Sequence, residues 1–455
     1  MVGSESIKQE KKSHVRWYVC AMLFALTAVN YADRATLSLA GPAASKELGM
    51  NAVALGYIFS AFGWSYVALQ IPGGWLLDRF GSKMVYFWSI VLWSIATLLQ
   101  GYVGILGTAT AAIVALFILR LLLGTFEAPS FPANSRLVAA WFPKQERGTA
   151  AAIFNSAQYF ATVLFAPLMG YIVYTFGWKH VFSVMGCLGL VMAFVLLKVI
   201  YGPKDHPGIN KAELDYIAQG GALVDMDQKK QDAMTCNDLP TWWCIKQLLG
   251  SRMLLGVYLG QYCITTLTYF FLTWFPVYLV QARGMSILKA GFVAILPALF
   301  GFLGGILGGI FSDFLLRKGY SLSVARKTPI VLGMLLSTTM IACNYTSIEW
   351  VVVAFMGMAF FGKGIGALGW AVVSDTSPKE IAGLSGGLFN TFGNTAGITT
   401  PIIIGYIVQG TGSFNGALVF VAANAIGAIL SYLLIVGEIK RMELKQPAAG
   451  TCSTS

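Results

Sequence analysis

The chain has 455 residues, of which 56% are hydrophobic and 11% charged, with a mean hydropathy of +0.69 and a formal net charge of +11. Soluble domains carry about 25% charged residues, so the composition excludes a soluble enzyme and points to an all-α membrane protein that crosses the bilayer many times. A charge of +11 would suit nucleic acid, but the basic residues are scattered among short polar intervals, as topology requires; no nucleic-acid partner is expected.

Twelve apolar stretches approach the ~20 residues that a bilayer demands. They lie at about 16–40, 54–76, 84–104, 109–132, 149–173, 180–201, 252–281, 288–314, 328–346, 350–374, 382–408 and 414–437. The start of the chain, with Lys8, Lys11, Lys12 and Arg16 before an apolar run, imitates a signal peptide. That run is too long for one and holds Asp33-Arg34, so it is expected to stay as the first span. The expected organisation is an N-terminal six-helix half at 1–201, a cytoplasmic central segment at 202–251 with a short helix at Lys211–Gln219, and a C-terminal six-helix half with a cytoplasmic tail at 252–455. With both ends on one side, 24 Lys and Arg residues fall on that side against 4 on the other (Lys46, Lys179, Arg283 and Lys289), and the remaining three of the 31, Arg34, Arg120 and Lys363, fall within spans. The asymmetry predicts cytoplasmic termini.

Within the first span, Asn30-Tyr31-Ala32-Asp33-Arg34-Ala35-Thr36 places an acid beside a base at membrane depth. Intramembrane charge is costly and marks a candidate functional site. Successive helical residues diverge by roughly 100°, so each of the two needs a separate partner. The bland alternative is a helix end from which both side chains reach water.

Between the second and third spans, Gly74-Trp75-Leu76-Leu77-Asp78-Arg79-Phe80-Gly81-Ser82-Lys83 forms a glycine-punctuated turn. Asp78 and Arg79, with Asp313 in the second half, are candidates for a conformational latch that pairs across the cytoplasmic half-interface; otherwise they form a solvated turn. The fourth span carries Arg120 and Glu127, two helical turns apart on one face and about 10 Å from each other. A buried carboxylate without a constant partner can trade protons, so Asp33 and Glu127, with Arg120 beside them, are candidates for proton coupling. Static ion pairs that only orient helices are the alternative. Lys363, in Phe361-Gly362-Lys363-Gly364-Ile365-Gly366, is a mid-span cation. It would suit a substrate carboxylate, with Arg34 for a second one. It could instead pair with an acid on another helix or reach water. Gln158 and Asn390 are the better candidates among span amides for a hydroxylated ligand. The glycine run Gly301 to Gly309 predicts close helix packing, since no P-loop ending follows it. Seven cysteines, among them Cys236 and Cys452, show no CxxC spacing; no metal, cofactor or disulfide framework is expected.

The halves repeat. Gly73-Gly74 with Asp78 recurs as Gly308-Gly309 with Asp313, Pro143-Lys144 as Pro378-Lys379, Phe154-Asn155 as Phe389-Asn390 and Gly170-Tyr171-Ile172 as Gly405-Tyr406-Ile407, each 235 residues on. Parallel six-helix repeats with a site near the midplane describe a transporter that works by alternating access.

These residues carry a resemblance. The Asn30–Thr36 stretch, Gln70-Ile71-Pro72-Gly73-Gly74-Trp75-Leu76-Leu77-Asp78-Arg79, Phe126-Glu127-Ala128-Pro129-Ser130-Phe131-Pro132 and Phe271-Leu272-Thr273-Trp274-Phe275-Pro276 resemble the anion:cation symporter family of the major facilitator superfamily. Phe154-Asn155-Ser156-Ala157-Gln158-Tyr159-Phe160 and Gly362-Lys363-Gly364-Ile365-Gly366-Ala367-Leu368-Gly369-Trp370 are similar to its bacterial D-glucarate/galactarate permeases. The resemblance implies a major facilitator fold and proton-coupled import of a sugar diacid across the bacterial inner membrane, by a monomer and not an enzyme. It implies that Asp33 and Glu127 exchange protons, that Arg120 tunes them, and that Arg34 binds a carboxylate among Tyr31, Tyr66, Gln158, Trp370 and Asn390. A hexonate (D-galactonate-like) proton symporter, or an organic-anion exchanger of the same family, is the alternative; hexonate carriers resemble this chain with a neutral polar residue where Lys363 stands.

Overall fold

The computed structural model describes residues 12–225, 241–378 and 381–444. Lys8, Lys11, Cys236, Lys379 and Cys452, used in the reading above, lie outside the described residues. Eighteen α-helices are described: α1 (Val15–Leu48), α2 (Ala52–Phe80), α3 (Ser82–Gln100), α4 (Ala109–Glu127), α5 (Ser130–Trp141), α6 (Arg147–Phe176), α7 (Trp178–Val199), α8 (Lys211–Gln219), α9 (Thr241–Gly250), α10 (Arg252–Tyr269), α11 (Phe275–Gln281), α12 (Ile287–Val293), α13 (Ile295–Arg317), α14 (Leu322–Ser337), α15 (Glu349–Ile365), α16 (Gly369–Thr376), α17 (Ala382–Thr411) and α18 (Asn415–Leu430). Among the described residues eleven segments are long and apolar enough to cross a membrane, and α17, with 30 residues, lies where the eleventh of the twelve expected spans was read. Several spans are two helices in line, because the chain breaks inside the bilayer-length segment.

The helices group into two units. The first holds Met1–Asp232 with Met285–Ile295, and the second Ala233–Gly284 with Leu296–Ser455. In the first unit α1 is the central strut, a 34-residue helix with Pro42 inside it that ends at left-handed Gly49. It runs past the expected end at 40, so about 20 Å of helix separates Arg34 from Leu48. That length removes the reading in which Asp33-Arg34 is a helix end. Both ends of α1 are tied. At its start Glu213 of α8 accepts from the Val15 backbone N–H (2.8 Å), the Ser13 hydroxyl (2.6 Å) and Arg16 Nη1 (2.8 Å), while Arg16 Nε also pairs with Glu146 (2.9 Å). His14 offers the helix no side-chain cap, so Glu213 supplies the acceptor that its first turn lacks. At the far end Glu47 pairs with Lys179 (2.6 Å) and accepts from the Trp178 indole (2.6 Å).

In the second unit the glycine run packs as its composition predicts. A Cβ at Gly304 or Gly308 of α13 would collide with the carbonyl oxygens of Phe361 and Ile365, and one at Gly362 with that of Gly333 on α14. Helix α15, which carries Lys363, is thereby held at backbone contact between α13 and α14. The stretch Phe270–Trp274 makes a π-helical turn between α10 and α11. Pro276, without an N–H, follows at the start of α11. The Trp274 indole donates to the Pro401 carbonyl oxygen (3.2 Å) and fixes the turn against α17.

A buried charge cluster at a broken helix

The fourth span stops and restarts inside the membrane segment. Helix α4 ends on Glu127 and α5 begins at Ser130, with Pro129 between them. A Cβ at Gly124 would strike the Phe62 carbonyl oxygen, and Ser65 donates to the Leu121 carbonyl oxygen (2.6 Å), so the end of α4 is pressed onto α2. These contacts fix the place of Glu127, which is fully buried.

There Glu127 meets Arg34. The Arg34 Nε donates to both carboxylate oxygens, at 3.3 and 3.2 Å, in a pair whose side chains are 5% and 1% exposed. Its guanidinium lies over the rings of Tyr66 (4.6 Å), Phe62 (4.7 Å), Tyr31 (4.9 Å) and Phe131 (5.9 Å). Rings at such distances stabilise a cation while offering it no anion. They hold the guanidinium in place and leave its choice of carboxylate open.

Asp33, the neighbour of Arg34 in sequence, points elsewhere. Among the described residues neither carboxylate oxygen closes a hydrogen bond of ordinary length, although the residue is 2% exposed. The charges acting on it are those of Glu127 and Arg120, and the Trp93 indole of α3 is placed to donate to it without closing a bond of ordinary length. Arg120 itself donates through Nη2 to the Arg34 carbonyl oxygen (3.4 Å), while its Nε and Nη1 are buried without partners. Two acids and two bases thus share one buried pocket of charge with a single closed ion pair, Arg34–Glu127.

The structure brings Tyr31, Asp33, Arg34, Tyr66, Arg120 and Glu127 together. Gln158 is half-buried on α6, and its amide donates to the Asn155 carbonyl oxygen of the same helix (3.1 Å). The remaining candidates belong to the second unit. Lys363 is 5% exposed in the last turn of α15, with its ammonium 5.2 Å from the centre of the Phe360 ring. A helix C-terminus favours a cation there. The break that follows, between Ile365 and Gly369, answers the break after Glu127 in the first unit: at the repeat distance of 235 residues Lys363 corresponds to Ala128, next to Glu127. Interrupted spans at matching places in two repeats are a mark of transporter binding sites. Asn390 accepts from the Asn394 amide at both its backbone oxygen (2.9 Å) and its Oδ1 (3.0 Å), and Tyr269 donates to Asn394 Oδ1 (3.0 Å). Trp370 is 57% exposed and packs edge-on against Phe389.

The proposed latch residues find partners inside their own units. Asp78 pairs with Arg136 of α5, whose Nε also donates to Ser82 (3.1 Å). Arg79 lies over Trp75 and Phe80. Asp313 lies 4.0 Å from Arg326, which is held more closely by Asp375 (2.8 Å) and Ser312 (3.0 Å). Each unit thus holds an acid, an arginine and a serine in contact, but on helices that do not correspond at the repeat distance. The sequence reading missed Arg136 and Arg326 as these partners, and it missed Asn30, Phe62 and Trp93 around the charge cluster. Asn30 stands within the quoted first-span stretch and acts on Glu127; the two aromatics give no signal that separates them from ordinary core.

A sequence model of the Major Facilitator Superfamily matches residues 23–325. The chain belongs to the Major Facilitator Superfamily. It is a multi-pass membrane protein of a family of transporters. It is 65% identical to the probable galactarate/D-glucarate transporter GudP of Escherichia coli (strain K12), with 97% of each chain covered, and 58% identical to the probable galactarate/D-glucarate transporter GarP of the same organism, covering 97% of this chain and 99% of GarP. A D-galactonate transporter of Escherichia coli O6:H1 is 42% identical over 96% of this chain and 99% of that one. Among solved structures, a D-xylose-proton symporter superposes with a TM-score of 0.69 at 14% identity, covering 93% of this chain and 98% of the other. At that identity the likeness speaks for the major facilitator fold alone.

Proposed function

We propose that the protein imports D-glucarate, galactarate or a close aldarate into a bacterial cell in symport with protons. The observation that carries the reading is the buried Arg34–Glu127 pair at the end of a broken span. The acid occupies the guanidinium that a substrate carboxylate requires. Protonation of Glu127 removes its claim on Arg34, and a carboxylate on Arg34 in turn favours the protonated acid. This reciprocity is what couples a proton to a ligand. Asp33, buried beside Arg120, is the second proton carrier, and Arg120 moderates both acids. Lys363 binds the other carboxylate of the diacid, while Tyr31, Tyr66, Gln158, Trp370 and Asn390 contact its hydroxylated body. The relatives named as galactarate/D-glucarate transporters support this substrate class. In this reading two six-helix halves joined by residues 202–251 alternate in access as a monomer in the inner membrane, with both termini in the cytoplasm, and Asp78, Arg79 and Asp313 take part in the latch between states.

The test is Glu127→Gln, which resembles the protonated acid. It is expected to abolish proton-driven accumulation while exchange of substrate across the membrane continues. Loss of binding altogether would assign Glu127 a structural role and remove the coupling argument.

A further inference from the structure

Helix α3 carries a row of buried polar groups that substrate binding does not use. Tyr86, Trp93, Thr97 and Gln100 recur at intervals of 7, 4 and 3 and so share one face of the helix. All four are at most 1% exposed. Among the described residues Trp93 Nε1, Thr97 Oγ1 and Gln100 Oε1 close no hydrogen bond, and neither does either oxygen of Asp33 nor Arg120 Nε and Nη1, while the Tyr86 hydroxyl faces Asn134. Thr97 is telling. A threonine within a span ordinarily turns its hydroxyl back to the carbonyl four residues earlier, as Thr27, Thr36, Thr125, Thr273 and Thr376 do here. Thr97 does not. Ser94, also without a partner among the described residues, is pressed against Gly189 of α7, and the Trp93 indole nitrogen lies beside the same glycine. From Trp93, beside Asp33, to Gln100, the last residue of the helix, is about 10 Å. Beyond it Tyr102 and Ile105 are exposed.

Buried polar groups in apolar surroundings are satisfied by protein or by ordered water, and a water needs two to four such partners. We propose that a file of water lies along Trp93, Thr97 and Gln100 of α3 and conducts protons between Asp33 and the aqueous phase at the Gln100 end of α3, apart from the place where Arg34 receives the substrate carboxylate. A proton entering at Gln100 is passed on as each water accepts one proton and releases another; Asp33 gains one proton and loses its negative charge. The charged groups acting on Asp33 are Glu127 and Arg120, both on α4, and the Trp93 indole of α3 faces it. Thr97 and Gln100 act as positioning residues for the water and touch neither substrate nor the ion pair.

This inference rests on the proton-symport reading, and its test separates the two. Wild-type protein in liposomes, given a proton gradient, tests symport itself. The pair Thr97→Val with Gln100→Leu tests the file. In this variant gradient-driven uptake is expected to slow at least tenfold while substrate exchange at equal pH stays within twofold. A second readout does not depend on transport. Hydroxyl radicals generated by a brief X-ray pulse attack side chains in contact with bound water. Trp93 is expected to be oxidised in the wild type and several-fold less in the variant, whereas Trp274, buried and bonded to Pro401, stays unmodified in both. An unlabelled wild-type Trp93, or a variant whose uptake and exchange both match the wild type, would overturn the file. Uptake and exchange falling together would overturn it as well, since that result assigns the pair to general packing.

Discussion

Arg34 is held by rings and claimed by one acid, and both facts rest on its planar guanidinium. A lysine keeps the charge and loses the fork and the stacking. Arg34→Lys is therefore expected to raise the Kd for aldarate at least tenfold, measured by direct binding to the purified protein at constant pH; an unchanged Kd would show that charge alone suffices. Lys363 makes a different prediction. Lys363→Asn should weaken the binding of an aldarate more than that of a hexonate, which has one carboxylate fewer, and equal weakening of both would remove Lys363 from the carboxylate site. The charged members of the cluster were legible in the sequence because an ion inside an apolar run is expensive wherever it faces. Trp93 was not, since a tryptophan on a span is most often core or lipid contact, and its meaning comes only from the unpartnered Asp33 beside it.

The elements add breaks and clasps that position these residues. The chain interrupts α4 after Glu127 and α15 after Ile365, in each case next to a buried charge. The sequence reading took 109–132 and 350–374 as unbroken spans; Pro129 stands in the first break, while the second has no proline and comes with Gly366 and Gly369 and with tight packing on α13 and α14. Similarly, the short helix expected at Lys211–Gln219 is present, while its task could not be read, because Glu213 meets Arg16 and Ser13 only after some 200 residues have folded back. Burial works to raise the Glu213 carboxyl, but bonds from Ser13, Arg16 and the Val15 backbone outweigh it and hold the group below its usual value. Glu146 is lowered in the same way: burial opposes, and Arg16 and Tyr216 prevail. A carboxylate whose folded pKa is depressed stabilises the fold fully above the ordinary range, near pH 4.3 or about there, and loses that contribution as pH falls through the folded value. Removing one partner of a buried pair costs about 3–5 kcal/mol. Glu213→Ala should accordingly lower the melting temperature at pH 7, and the gap to the wild type should narrow on acidification to pH 4. A gap independent of pH would show that Glu213 acts through packing and not through charge.

At the scale of the whole molecule, the repeat at 235 residues was legible as sequence, and the structure adds a helix break in the fourth and in the tenth span, about one turn out of register at that distance. The placement of Met285–Ile295 with the first unit was not legible. It depends on Gly170 and Gly291, which let α12 reach the backbone of α6, and two isolated glycines do not announce a contact across more than 100 residues of chain. The central claim is that a proton gradient drives a sugar diacid through this protein. Its most direct test is uptake of labelled D-glucarate into proteoliposomes under an inward proton gradient, with and without a protonophore. The account predicts accumulation above the external concentration that the protonophore collapses. Equilibration to the external concentration whether or not the gradient is present would contradict it.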